Sequence, residues 1–106
     1  RLLERARAVG ARLTAGLQAL AARHRSIADV RGLGAMVAIE LFDAQGAPDA
    51  DLTKRLCAEA IRRGLILLSC GVYANVVRIL VPLTAPDAQL DEGLAILGDC
   101  LQACGA

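Results

Sequence analysis

The sequence predicts an α+β domain: a small three-stranded, mainly antiparallel sheet with helices packed on one face, in the order α-β-α-β-β-α. Three observations predict it. Apolar residues recur every three or four positions in three separate stretches, the spacing of an amphipathic helix. Short aliphatic runs of strand length lie between those stretches. A helix enclosed by two strands, with a further strand close behind, gives the order of a split β-α-β unit, in which the last strand lies antiparallel between the other two.

The first element is a helix over 1–25, with Leu2, Ala6, Val9, Leu13, Leu17 and Leu20 on one stripe and most arginines between them. Gly10 and Gly16 weaken it by up to ~1 kcal/mol each, so tertiary packing has to hold it. The character changes at "DVRGLGAMVAIELF", where Gly32 and Gly34 break any helix. A strand follows over 33–42, with Ala35, Val37, Ile39 and Leu41 on one face and Met36, Ala38, Glu40 and Phe42 on the other. "DAQGAPDAD" is a turn by composition. A helix over 50–63 buries Leu52, Leu56, Ala60 and Ile61, carries Arg62 and Arg63 at its negative end, and has Gly64 placed to cap it. "LILLS" is the second strand, 70–75 a loop, and "VVRILV" the third strand. Thr84 and Asp87 are spaced as in a capping box, and Pro86 falls in the first turn of a last helix. Its stripe is Leu90, Leu94, Leu97, Leu101 and Cys104.

Composition narrows the function. A length of 106 residues suits one domain. Eleven arginines and one lysine balance 11 acids to a net charge of +1, and Phe42 and Tyr73 are the only aromatics, which argues against a nucleic-acid surface. No apolar run approaches the ~18–20 residues that span a bilayer. The hydrophobic fraction, 56%, exceeds the usual ~45–50% for a globular domain. With Arg1 first and Met36 the sole methionine, this leads us to expect a piece of a longer chain whose surplus apolar surface meets the remainder.

The four cysteines, Cys57, Cys70, Cys100 and Cys104, match no zinc spacing and read as reduced thiols. No metal site is expected. The G-x-G of "RGLGAM" precedes a strand and opens no helix, so it reads as a turn leading into the strand rather than a dinucleotide loop. His24, the only histidine, reads as solvent-facing and far from Ser69 and Cys70. Lys54, the only lysine, sits at an exposed helix position beside Arg55, with nothing to desolvate it. The chain by itself therefore carries no catalytic nucleophile.

Arg78 is different. It stands inside "NVVRILVPLT", the most strand-like stretch of the chain. Val77, Ile79 and Val81 form an apolar face for the helices, so Arg78, between Val76 and Leu80, points the other way. A guanidinium fixed on a strand is a good carboxylate clamp, since it is planar, permanently charged and able to donate two parallel hydrogen bonds. Residue physics leaves two partners open: a ligand anion, or Glu40 on the neighbouring strand in a merely structural pair.

Together "DVRGLGAMVAIELF", "GLILLSCGVYANVVRILVPLT" and "LDEGLAIL" resemble the C-terminal small domain of class III pyridoxal-phosphate aminotransferases, in particular members that use 4-aminobutyrate. The most specific part is "LLSCG", followed by Asn75-Val76-Val77-Arg78 and Pro82-Leu83-Thr84. The resemblance implies that residues 1–106 form one C-terminal small domain. It implies transfer of the amino group of 4-aminobutyrate, or a related ω-amino acid, to 2-oxoglutarate, with Arg78 binding the substrate carboxylate. It also implies a pyridoxal 5'-phosphate cofactor held by a large domain absent from this chain, together with the catalytic lysine, so that this chain alone is inactive. A cytoplasmic homodimer is implied as well. The alternative from residues alone is a free-standing α+β ligand-binding or oligomerisation module without catalysis.

Overall fold

A computed structural model of the chain describes residues 2–80, 82 and 84–106, and of Leu33 and Leu80 the backbone only. The elements run α1 (Leu2–Arg23), β1 (Ile27–Leu33), β2 (Met36–Leu41), α2 (Ala50–Arg62), β3 (Leu68–Cys70), β4 (Val76–Leu80) and α3 (Asp87–Ala103). The four strands form one sheet in the order β1-β2-β4-β3, antiparallel at every pairing. Strands β2 and β3 are therefore parallel to each other with β4 between them, which is the expected split β-α-β arrangement.

The fold class is as the sequence predicts, with one strand more. The expected strand over 33–42 is in fact the end of one strand and the whole of the next, folded at Gly34 and Ala35, with Leu33 opposite Met36. Gly34 takes a φ of 59°, the left-handed conformation that the first position of a two-residue hairpin loop demands. The register of β1 shifts between Ile27 and Asp29, a β-bulge. Strand β3 is also displaced: it begins at Leu68 rather than at Leu65. The predicted continuation of β4 to Val81, the start of the first helix at Arg1, and the Leu83 part of the resemblance lie outside the described residues.

One face of the sheet is apolar and covered. Val37, Ile39 and Leu41 of β2 and Val77 and Ile79 of β4 form a single cluster with the helices. Val9, Leu13 and Leu17 come from α1, Leu52, Leu56 and Ala60 from α2, and Leu90, Leu97 and Leu101 from α3. Each valine, leucine or isoleucine side chain so buried contributes about 1.5–3 kcal/mol. Ile61, assigned to the buried stripe of α2 by periodicity, is instead exposed. Two glycines mark where other elements press on α1. A Cβ on Gly10 would lie 1.8 Å from the carbonyl oxygen of Gly34, and one on Gly16 would lie 2.3 Å from Leu94 Cδ1. The same glycines that lower helix propensity thus permit the hairpin turn and α3 to approach.

Side-chain and backbone caps end the helices. Asp49 caps α2, its carboxylate accepting from the Leu52 N–H at 2.9 Å. After α2, Gly64 N–H donates to Ile61 O and Leu65 N–H to Ala60 O, a Schellman motif with Gly64 at a φ of 84°. The end of α3 repeats it, with Gly105 bonding to Gln102 and Ala106 to Leu101. The capping box expected at Thr84 and Asp87 is absent: Pro86 is the N-cap, in extended conformation, and no side chain caps it. Arginines of α1 hold α3 instead. Arg12 makes two hydrogen bonds to Asp91, at 2.9 and 2.6 Å, and these keep the Asp91 carboxyl below its usual range. His24 is buried rather than solvent-facing, its Nδ1 lying 2.9 Å from the carbonyl oxygen of Ala106.

Candidate functional site

The open face of the sheet carries the candidate site. With Val77 and Ile79 committed to the core, β4 turns Arg78 to the opposite side, where it is exposed. Register places Arg78 beside Ala38 on β2 and Leu68 on β3. Ala38 in turn faces Arg31 on β1, so Arg31, Ala38 and Arg78 lie abreast across three strands. Together with Gly32, Met36 and Val37 they line a shallow, open depression of about 290 Å³.

The strand that carries Arg78 is anchored at its start. Asn75 is buried, and its side-chain amide donates to Leu41 O at 3.1 Å. In return the Leu41 N–H donates to Asn75 O at 2.9 Å. These bonds extend the β2–β4 pairing by one residue and set the register that aims Arg78 outward. The preceding loop turns through Gly71 (φ 91°) and Ala74 (φ 52°), closed by a bond from Ala74 N–H to Gly71 O.

Glu40, the alternative partner for Arg78, is engaged elsewhere. Its Oε1 lies 3.2 Å from Nη2 of Arg31, and Arg31 Nε lies 3.3 Å from Oδ2 of Asp29. Arg78 makes no ion pair or hydrogen bond among the described residues. The structure thus separates the two residues that the sequence left as a possible pair. It also introduces Arg31, which sequence reasoning passed over. The signal was present as "DVR" ahead of the glycines, but it becomes legible only when that stretch is recognised as a strand.

The other titratable residues do not gather at this site. Burial pushes the thiols of Cys57 and Cys100 up, which makes them poor nucleophiles. His24 is occupied by the chain end and is not brought to Cys70. Among the described residues no group of three His, Cys, Asp or Glu side chains could hold a metal. Among the described residues no helix is long and apolar enough to cross a membrane. Lys54 is exposed on α2, on the helical side of the sheet, whereas Arg78 is on the other side. A pyridoxal phosphate group, which needs a lysine at the reacting carbon and a cradle for its phosphate, has no fit among the residues described. A second concavity, of about 270 Å³, lies under α3 between Leu65, Leu67, Ile79, Leu90, Leu94 and Leu97. Its lining is mainly apolar, with Thr84 and Gln89 as the polar members, and includes no cation among the described residues.

Fold and site together define an α+β domain that presents, on an open sheet face, a guanidinium with no ion pair or hydrogen bond among the described residues. The "Aminotransferase class-III" family model matches residues 1–101, and the chain belongs to that family. It is 57% identical over 102 residues to the 5-aminovalerate aminotransferase of Pseudomonas aeruginosa, covering 94% of this chain and 24% of that protein. It is 55% identical over 101 residues to the 4-aminobutyrate aminotransferase of Escherichia coli, covering 93% and 24%. Among solved structures, a PLP-bound amine transaminase from an uncultivated Pseudomonas species superposes with a TM-score of 0.86 at 30% identity, over 98% of this chain and 24% of that one. The chain spans about a quarter of the length of the curated relatives it matches.

Proposed function

We propose that this chain is the C-terminal small domain of an aminotransferase that moves the amino group of a short ω-amino acid, 4-aminobutyrate or 5-aminovalerate, to 2-oxoglutarate, and that Arg78 binds the substrate carboxylate. The observation that carries this is Arg78 itself: a fixed cation, exposed on a rigid strand, with Glu40 diverted to Arg31. The names of the relatives, 5-aminovalerate and 4-aminobutyrate aminotransferase, support the substrate class. Both amino acids carry an amine at one end and a carboxylate at the other. Holding the carboxylate at a fixed distance delivers the amine to the reacting carbon of the cofactor, and such positioning is itself a large part of catalysis.

The cofactor is pyridoxal 5'-phosphate, bound by the remainder of the polypeptide, since no residue described here suits it. When bound it supplies the electron sink for transamination. The remainder is also the first partner of this domain, and a second copy the next, which gives a use for the exposed Ile66, Leu68, Val72 and Tyr73. Four unpaired cysteines fit the reducing cytoplasm.

The test is Arg78→Ala in the full-length enzyme. A charge-assisted hydrogen bond contributes about 1.5–3 kcal/mol, so the Michaelis constant for 2-oxoglutarate rises ten-fold or more, at about 1.4 kcal/mol per decade. Unchanged kinetics for both the keto acid and the ω-amino acid would refute the assignment.

A further inference from the structure

Glu40 lies between two arginines. On β2 it is two residues from Ala38, and Ala38 is level with both Arg31 and Arg78. Glu40 is therefore a diagonal neighbour of each, at about 7–8 Å between backbones, within reach of long side chains. It also stands directly opposite Asp29. Two like charges opposite each other repel, and Arg31 bridges them, at 3.3 Å from Asp29 and 3.2 Å from Glu40.

We infer that Arg31 is a positioning residue that holds Glu40 away from Arg78 and so keeps the substrate-binding guanidinium open. The inference rests on Arg78 being the carboxylate site. Without Arg31, repulsion from Asp29 drives Glu40 off β1, and the nearest cation on the same face is Arg78. An internal carboxylate then competes with the substrate carboxylate for one guanidinium. Competition of this kind scales the dissociation constant by the reciprocal of the open fraction. Occupancy of Arg78 by Glu40 for about 70–90% of the time weakens binding about three- to ten-fold.

The experiment measures the dissociation constant of glutarate, a non-reacting dicarboxylate, by titration calorimetry on the cofactor-loaded full-length enzyme. Steady-state kinetics with 2-oxoglutarate accompany it. Arg31→Leu is expected to weaken glutarate about three- to ten-fold and to raise the Michaelis constant by a similar factor, with kcat within about two-fold. Arg31→Leu combined with Glu40→Gln is expected to recover binding to within about two-fold of the parent, because the competing charge is gone. Arg31→Gln replaces Arg31→Leu if the latter does not fold. Unchanged binding in the single variant, or no recovery in the double variant, overturns the inference. Arg78→Ala separates the two proposals. If it leaves glutarate binding intact, the carboxylate site itself is wrong. If it weakens binding and the Arg31 variants do not, only the role of Arg31 is lost.

Discussion

A guanidinium and an ammonium carry the same charge, and the structure shows why they are not equivalent at position 78. Arg78 projects from a strand whose direction is set by pairing on both sides, and its guanidinium is itself planar, with two parallel donors. A lysine there would retain the charge and lose the two parallel donors. Arg78→Lys is accordingly expected to recover only part of the affinity that Arg78→Ala loses, with the Michaelis constant for 2-oxoglutarate between those of the alanine variant and the parent. The position of Arg78 was legible from strand alternation alone, because Val77 and Ile79 demand the core. That it would be unpaired was not. The competing acid, Glu40, is controlled by Arg31, and the contact between them depends on a strand that the sequence hides.

At the scale of elements, the concealment of β1 has a physical cause. A regular half-buried strand alternates with period two, but the bulge between Ile27 and Asp29 puts one extra residue between its apolar positions. Ile27 is in the core, and Val30, three residues on, packs against it. A spacing of three imitates a helical period. His24 was misjudged for a related reason, since its partner is the carbonyl of Ala106, 82 residues away. Local signals fared better: the turn after β2, the α2 stripe apart from Ile61, and Gly64 at its end were all readable. Two stability predictions belong here. Asp49→Ala removes the carboxylate that accepts from the Leu52 N–H at the start of α2 and is expected to cost about 1 kcal/mol in urea unfolding. Gly10→Ala raises helix propensity by up to about 1 kcal/mol, yet a Cβ there would meet the Gly34 carbonyl at 1.8 Å. The crowding is expected to win, with a net loss of about 1–3 kcal/mol, read as a lower urea midpoint. A gain in midpoint would show that α1 does not seat against the β1–β2 turn.

For the molecule as a whole, the sheet divides labour. Its helical side carries the core and its open side carries Arg78, with Lys54 on the first. A protein of this length with pyridoxal phosphate merely added is therefore expected to show no transamination of 4-aminobutyrate above that of free cofactor, as measured by succinate semialdehyde release. Turnover by the chain alone would mean that Lys54 does what its position denies. The surplus of apolar residues noticed in the sequence becomes specific in the structure. Val72 and Tyr73 at the β3–β4 loop, and Ile66 and Leu68 near the β3 edge, are exposed on the flank of the sheet.

The Asn75–Leu41 clasp has one more consequence. Side chains on a strand change sides with every residue, so a slip of β4 by a single step would carry Arg78 into the oil and turn Val77 and Ile79 toward water. There is no intermediate setting. One small buried amide thus acts as the detent of a two-position dial, and the outward aim of Arg78 is either wholly present or wholly gone.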